Sequence, residues 1–323
     1  MRVIASAEID QALAFPALID ALSDAFRGDM VTPVRHHHDI ERAGSHGTLL
    51  LMPAWTGPAA RDGLQDGLQD GFLGVKVVSV FPNNGAKGLP SVMGSYLLMD
   101  GGTGEPVAVL DGTRLTVWRT AAASALAARH LARPDASRMV MVGSGALAPF
   151  LIRAHLSQRP IREVCLWNHR PEKAHALAAA LRRDGWPVTA VTDLEAAVRE
   201  ADLISCATLS TAPIVKGAWL KDGAHLDLVG AFNLNMREAD DEALRRAEVY
   251  VDTDAAKSEG GDVAVSIRTG AIPEGHVRGT LFDLCRNPPQ WNERAVTVFK
   301  SVGTALEDLA AAMLVWRSLA NPS

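Results

Sequence analysis

The stretch Val140-Met141-Val142-Gly143-Ser144-Gly145-Ala146-Leu147-Ala148 decides the fold of this chain. An apolar run typical of a buried strand enters a G-x-G-x-x-A turn, and the pattern of a helix follows. The first glycine permits a tight turn, the second lets the backbone approach a pyrophosphate, and Ala148 allows close packing of helix and strand. Phosphates would lie at the helix N-terminus, where free N–H groups favour anions. We prefer this dinucleotide site to an ordinary strand–helix turn, with contacts from Gly143, Ser144, Gly145, Ala146 and Leu147.

The hydrophobic pattern around this turn predicts two domains. From Met139 to Val251, strand-like and helix-like segments alternate, which is typical of a parallel sheet wrapped by helices. The first half instead shows strand-like runs in succession, which indicates an antiparallel or mixed sheet. We predict an α/β fold: a Rossmann-type doubly wound parallel sheet domain at 116–293, and a mixed α+β substrate-binding and dimerisation domain formed by 1–115 with 294–323.

Three finer expectations follow from the pattern outside the parallel sheet. Residues 31–40 are predicted as a strand, and the Gly- and Asp-rich repeat DGLQDGLQDG at 62–71 as an exposed hairpin loop. Residues 294–320 are predicted to be helical, because the apolar residues from Val298 to Trp316 recur on one face.

Composition excludes several classes of protein. The 323 residues are 48% hydrophobic and 21% charged, and a formal charge of -5 gives no sign of a nucleic-acid-binding face. The N-terminal MRVIASAEID lacks the apolar region of a signal peptide, and no run is long enough to span a bilayer. Cys165, Cys206 and Cys285 fit neither a disulfide framework nor a zinc site. We therefore expect a cytoplasmic protein with no nucleic-acid, membrane or metal partner.

The end of the second strand of the parallel sheet favours NADP over NAD. An NAD enzyme usually carries Asp or Glu there, to accept a hydrogen bond from the ribose 2′-hydroxyl. This chain has Asn168, His169 and Arg170 instead. No carboxylate would repel a 2′-phosphate, and Arg170 can pair with it. The alternative is that Arg170 is a solvated loop residue and Asn168 binds the ribose of NAD.

Several polar residues permit two interpretations each. Lys76 interrupts an apolar strand, and its spacing alone favours a solvated side chain over one that faces a pocket. Arg119 lies among small residues of a helix and fits a pocket or the surface equally well. The glycine-rich loop with Glu259 and Asp262 either binds a polar group or forms a plain turn. Three adjacent histidines, 36–38, alternate between two faces of a strand and make a three-histidine metal site improbable.

Taken together, these motifs make the chain resemble the ornithine cyclodeaminase/μ-crystallin family nearly end to end. The resemblance is closer to the branch with μ-crystallin, ketimine reductase and alanine dehydrogenase. The pieces that carry it are Pro33-Val34-Arg35, Met52-Pro53-Ala54, Gly74-Val75-Lys76, Asp111-Gly112, Arg119-Thr120-Ala121-Ala122, the Gly143–Ala148 turn, Trp167-Asn168, Asp227 to Gly230, Tyr250-Val251-Asp252, Gly261-Asp262-Val263 and Thr297 to Gly303.

The resemblance implies a homodimeric enzyme that binds a nicotinamide cofactor and acts on small amino or cyclic imino acids. By motif, it implies that Arg35, Lys76 and Arg119 surround the substrate carboxylate and carry catalysis. Lys76 should have a lowered pKa and handle a proton at the imine nitrogen. Glu259 and Asp262 should line the substrate site. The implied cofactor contacts, besides those of the glycine turn, are Thr120, Asn168, His169, Arg170, Thr208 and Ser301.

One departure from the family narrows the expected reaction. Cyclodeaminases carry an Asp shortly after the Val-Gly of the segment that is Leu228 to Asn233 in this chain, and the aligned residue is Phe232. A phenylalanine cannot perform acid–base chemistry. We therefore expect NAD(P)H-dependent reduction of a cyclic ketimine such as pyrroline-2-carboxylate or piperideine-2-carboxylate, or interconversion of a 2-oxo acid and an amino acid. Ornithine cyclodeamination with recycled NAD, and a non-catalytic ligand-binding protein, are the alternatives.

Overall fold

The computed structural model describes residues 1–42, 45–57, 71–290 and 292–320. These form two compact units, the first comprising Met1–Thr120 and the chain from Thr304 onward, and the second Ala121–Gly303. Below they are called unit 1 and unit 2. The predicted hairpin loop at 62–71 lies outside the described residues, apart from its last glycine. Within the described ranges, no helix is both long enough and apolar enough to cross a membrane.

Unit 1 is built on one six-stranded mixed sheet. Its strands are β1 (Arg2–Ile4), β2 (His36–Arg42), β3 (Ser45–Trp55), β4 (Phe72–Val80), β5 (Val92–Asp100) and β6 (Pro106–Asp111). The spatial order is β1-β6-β5-β4-β3-β2, and every neighbouring pair is antiparallel except β1 and β6. The helices of unit 1 are α1 (Ser6–Ala12), α2 (Phe15–Arg27), the first part of α3 (Gly112–Leu131) and α11 (Ala305–Ala320).

One face of this sheet is covered by α11, which contacts β3, β4 and β5 and packs against α1 and α2. Helix α2 carries the predicted apolar stripe, and Leu18, Ile19, Leu22 and Phe26 are fully buried. Burial of such a stripe is the main stabilising contribution of an amphipathic helix. The strand predicted at 31–40 instead begins at His36, because Pro33 has no N–H to donate and Val34 is exposed.

Unit 2 is an eight-stranded, wholly parallel sheet with helices between its strands. Its strands are β7 (Arg138–Val142), β8 (Glu163–Trp167), β9 (Val188–Ala190), β10 (Leu203–Cys206), β11 (His225–Leu228), β12 (Ala247–Val251), β13 (Val277–Thr280) and β14 (Val296–Lys300). Its further helices are α4 (Ala148–Leu156), α5 (Pro171–Arg183), α6 (Leu194–Glu200), α7 (Asp241–Arg246), α8 (Ala256–Glu259), α9 (Gly261–Arg268) and α10 (Leu281–Arg286).

The strand order of unit 2 is β13-β12-β14-β11-β10-β7-β8-β9. The chain moves in one direction across the sheet from β7 to β9 and then returns to β10 on the other side of β7. Such a reversal opens a crevice at the carboxyl ends of the strands, where open α/β sheets bind ligands. The predicted doubly wound parallel fold is therefore confirmed, with the glycine turn at the switch point.

The predicted helix over 294–320 is wrong in its first part. Residues Val296–Lys300 form β14, which pairs with β11 on one side and β12 on the other. A central parallel strand is buried on both faces, so its apolar residues form a continuous run that periodicity alone cannot distinguish from a buried helix. The two compact units divide at the Gly303/Thr304 junction, after β14, and at Thr120, within α3.

Candidate active site

The two glycines of the turn after β7 serve different purposes. Gly143 has a φ of +109°, and a Cβ at this position would lie 2.5 Å from the carbonyl oxygen of Ala207. The fold itself therefore requires Gly143. Gly145 has no positive φ, and a Cβ there would meet no atom within 4 Å. The free space above Gly145 is a cradle that fits a pyrophosphate approaching the backbone at the start of α4.

The other predicted cofactor residues of unit 2 follow the carboxyl ends of neighbouring strands. Asn168, directly after β8, donates a hydrogen bond from Nδ2 to Ser144 Oγ in the glycine turn. Thr208 follows β10, and its methyl group would lie 3.2 Å from a Cβ at Gly143. Ser301 follows β14 and is buried. The structure thus brings the turn, Asn168 and Thr208 together, as the cofactor prediction requires.

His169 and Arg170 are exposed at the start of α5, beyond Asn168. Arg170 Nε donates a hydrogen bond to His169 Nε2 over 3.0 Å, and Asn168 Oδ1 accepts one from the Arg170 amide. Residues 168–170 thus present an amide, an imidazole and a guanidinium, and none of the three carries a carboxylate.

Sequence reasoning missed Glu238, which joins the loops after β10 and β11. Its buried carboxylate accepts hydrogen bonds from the amide of Thr208 (2.6 Å), the hydroxyl of Thr208 (2.8 Å) and the amide of Gly230 (2.7 Å). Burial, reinforced by the nearby carboxylate of Asp262, raises the pKa of Glu238 to about 7. A lone Glu in a polar stretch gives no sequence signal for this role, because all its partners except the Thr208 hydroxyl are backbone groups.

Asp262 is fully buried, and its carboxylate forms hydrogen bonds with the backbone of unit 2. Its Oδ1 accepts hydrogen bonds from the amides of Glu238 and Ala239, and Lys300 Nζ lies 3.7 Å from its Oδ2. Glu259 is half-buried at the end of α8. These placements give Asp262 a structural task that the sequence did not predict. The predicted substrate contacts of both acids stay predictions.

Lys76 lies in the interior of unit 1, so the solvated side chain that its spacing favoured is wrong. Only 1% of the residue is exposed. Its Nζ lies 2.8 and 2.7 Å from the two carboxylate oxygens of Asp308 and donates to Thr116 Oγ1 over 3.2 Å. Asp308 belongs to the first turn of α11, 232 residues further along the chain. A distant partner of this kind cannot be seen in a local pattern.

Arg119 shares the same carboxylate and is also buried. Its Nε donates to Asp308 Oδ1 over 3.1 Å, and its Nη1 pairs with Glu307. Below, the Lys76 cluster means Lys76, Arg119, Glu307 and Asp308. Sequence reasoning missed both acids, although their place beside the apolar residues of α11 was a signal that they face the interior.

Lys76 combines burial with a perturbed pKa. The pKa of Lys76 is lowered to about 8. Burial is the largest cause, the carboxylate of Asp308 opposes it, and the positive charge of Arg119 adds to the lowering. The predicted direction of this shift is confirmed. An ammonium group that titrates near physiological pH is suited to give and take a proton. Tyr96, opposite Lys76 on β5, is fully buried, and burial raises the pKa of its hydroxyl.

Arg35 precedes β2 and is half-buried. The pairing of β2 with β3 begins at the next residue, with His36 opposite Leu51. On the neighbouring strand pair, Met52 of β3 is opposite Lys76 of β4. The predicted contact of Arg35 with the substrate carboxylate stays a prediction. Thr120 is the last residue of the first segment of unit 1, next to Arg119 in α3.

The family model described as the ornithine cyclodeaminase/mu-crystallin family matches residues 2–322. The chain belongs to this family. Among curated relatives in the family, a Delta(1)-pyrroline-2-carboxylate reductase of Paracoccus denitrificans is 38% identical, and the match covers 92% of each chain.

Two solved structures are similar to this protein over nearly the full length of both chains. The Thermococcus litoralis Delta(1)-pyrroline-2-carboxylate reductase, in complex with NADH and L-proline, has a TM-score of 0.89 and 31% identity, covering 99% of this chain and 98% of that one. An archaeal alanine dehydrogenase dimer with bound NAD has a TM-score of 0.86 and 28% identity, covering 99% and 96%.

Phe232, which we expect to replace the acid of the cyclodeaminases, follows β11 and is 37% exposed. It lies two residues beyond Gly230, whose amide is bound by Glu238. The segment after β11 thus presents an aromatic ring, and not a carboxylate, at residue 232.

Proposed function

We propose that this protein is an NAD(P)H-dependent reductase of cyclic imino acids, with Delta(1)-pyrroline-2-carboxylate or its six-membered homologue as substrate. The observation that carries the proposal is the buried Lys76, whose pKa of about 8 makes it a proton donor at neutral pH. Arg119 beside it provides a guanidinium for the substrate carboxylate. The glycine turn of unit 2 provides the site for a nicotinamide cofactor, and the pyrroline-2-carboxylate reductases in the family support the choice of substrate.

The reaction assigns a separate task to each group. Arg119, assisted by Arg35, holds the carboxylate and fixes the imine relative to Lys76. Lys76 holds a proton at the imine nitrogen, which makes C2 more electrophilic. A nicotinamide cofactor bound at the glycine turn would supply the hydride that C2 accepts. The C=N double bond becomes a C–N single bond, and the product is a cyclic amino acid with one added hydride and one added proton.

Oxidation of NADPH and NADH by the purified protein tests this proposal. The substrates are pyrroline-2-carboxylate, piperideine-2-carboxylate, pyruvate with ammonia or methylamine, and ornithine. We expect stoichiometric cofactor oxidation with a cyclic imine. Release of ammonia from ornithine without net cofactor turnover would instead identify a cyclodeaminase, which the aromatic ring of Phe232 disfavours. Ligand binding without turnover of any substrate would indicate a binding protein.

We propose NADP as the preferred cofactor, on the basis of the exposed guanidinium of Arg170 after β8. Replacing Arg170 with Ala should lower kcat/KM for NADPH by about 10- to 100-fold, the loss expected for one charge-assisted hydrogen bond. The value for NADH should stay within about twofold, because NADH has no 2′-phosphate. Arg182→Ala, an exposed arginine at the other end of α5, is the control. Equal losses for both cofactors would refute the assignment.

We propose that the protein is a cytoplasmic homodimer. The archaeal alanine dehydrogenase, which has a similar structure, is a dimer, and the three cysteines of this chain are free thiols. The sheet face of unit 1 that points away from α11 is apolar and only partly buried, with Leu51, Val75 and Val77 in adjacent positions. Sedimentation equilibrium should give twice the mass of the chain, and Val77→Glu should shift it toward the monomer. A monomeric wild-type protein at micromolar concentration would contradict the proposal.

A further inference from the structure

The charges of the Lys76 cluster sum to zero. Lys76 and Arg119 contribute two positive charges, and Glu307 and Asp308 contribute two negative charges. All four residues are buried, the most exposed being Arg119 at 6%. Such a cluster is tolerated in a protein interior because each charge is compensated by a neighbour within hydrogen-bond distance.

The neighbouring groups named here do not change the zero net charge of the Lys76 cluster. Tyr96 on β5 is opposite Lys76, and burial keeps its hydroxyl protonated. Thr116 on α3 accepts a hydrogen bond from Lys76, and Met52 on β3 is apolar. Arg35, which precedes β2, is half-buried, and solvent screens its charge more effectively than that of a fully buried group.

A ligand of zero net charge and an anionic ligand would have different effects on the net charge of this buried site. A cyclic amino acid or a protonated imine carries one carboxylate and one cationic nitrogen, so its net charge is zero. An unprotonated imine, or any planar carboxylate without a basic nitrogen, adds one uncompensated negative charge to a buried site. Burial of an uncompensated charge is costly, and the usual response is uptake of a proton.

We propose that the Lys76 cluster binds ligands in a form of zero net charge, so that an anionic imino acid is taken up together with one proton from solvent. This inference rests on the proposed function, and it specifies that the bound complex already contains the proton that the reaction consumes. The proton is held either at the imine nitrogen or on the carboxylate of Asp308 or Glu307 that the substrate carboxylate displaces. In both cases the proton that the reaction consumes enters before the hydride step.

Calorimetric titration in buffers of different ionisation enthalpy measures this proton directly. The probes are pyrrole-2-carboxylate, a planar anion whose ring nitrogen is not basic, and L-proline, a zwitterion. With the enzyme saturated with NADPH, whose nicotinamide ring is uncharged, pyrrole-2-carboxylate should bind at pH 7 with uptake of about one proton per site, and L-proline with about none. Between pH 6.5 and 7.5 the Kd of the anion should rise about tenfold, whereas that of L-proline should stay nearly constant.

The variant Asp308→Asn removes one negative charge with little change of shape. Its cluster then has a net positive charge, so the anion should bind without proton uptake and should gain affinity relative to L-proline. Glu307→Gln makes the same change on the Arg119 side and provides the second test if Asp308→Asn does not fold. Binding of the anion to the wild type without proton uptake would overturn the inference while leaving imine reduction intact. Failure of both probes to bind, with no imine reduction, would overturn both proposals.

Discussion

Replacing Lys76 with Met should lower kcat for reduction of a cyclic imino acid by about 10²- to 10⁴-fold, the range for loss of a positioned proton donor. Methionine keeps most of the volume of the side chain but has no proton to give. Affinity for NADPH should be retained, because the predicted contacts with the cofactor phosphates and adenosine lie mainly in unit 2. Steady-state kinetics and a fluorescence titration with NADPH measure the two effects separately.

The pH dependence of the wild type supplies an independent check on Lys76. The ammonium form predominates below its pKa of about 8 and is lost above it. At saturating substrate, kcat should therefore be level below about pH 8 and fall about tenfold per unit above it. In Lys76→Met this descending limb should be absent. A wild-type profile that stays level to pH 10, together with near-normal kcat in Lys76→Met, would exclude Lys76 as the proton donor.

Loss of stability must be separated from loss of chemistry in this variant. Lys76→Met leaves the buried carboxylate of Asp308 paired with Arg119 but without its lysine partner. Removal of one member of a buried ion pair destabilises proteins by about 3–5 kcal/mol. The double variant Lys76→Met/Asp308→Asn removes one charge of each sign and keeps the cluster neutral. It should unfold at a higher denaturant concentration than the single variant and remain equally slow. Recovery of kcat in the double variant would show that folding, and not proton donation, was at fault.

The sequence predicted the features that local patterns determine. The glycine turn lies between a strand and a helix, as its spacing requires, and the β–α alternation from Met139 onward produced the parallel sheet. Strand β14 was mistaken for a helix because burial on both faces removes the alternation by which a strand is recognised.

The candidate site of unit 1 shows why other features could not be predicted. Lys76 looked solvated because nothing within its own strand compensates its charge. Its partner Asp308 is supplied by α11, at the other end of the chain. The role of Glu238 was equally inaccessible, since its partners are mainly backbone amides, which every residue type except proline provides. Contacts that are remote in sequence or made to the backbone leave no local pattern.

Adding a single methyl group at Gly145 should weaken NADPH binding by about 100-fold or more, roughly 2.7 kcal/mol, without destabilising the fold. A Cβ at this position meets no protein atom within 4 Å, and the backbone is not in the left-handed region. Gly145→Ala should therefore change the free energy of unfolding by no more than about 0.5 kcal/mol. Its methyl group would occupy the space that we propose for the pyrophosphate.

Gly143→Ala is the comparison variant, because it should reduce the stability of the fold as well as the affinity for the cofactor. A Cβ there would lie 2.5 Å from the carbonyl oxygen of Ala207, and a φ of +109° is unfavourable for alanine. This variant should lose roughly 1–3 kcal/mol of stability or more, in addition to cofactor affinity. Gly275→Ala, at an exposed glycine with open space and no positive φ, should change neither property. Thermal unfolding without cofactor and NADPH titration give the two readouts. Wild-type affinity in Gly145→Ala would mean that no phosphate approaches this turn, because the fold gives that position no other reason to be glycine.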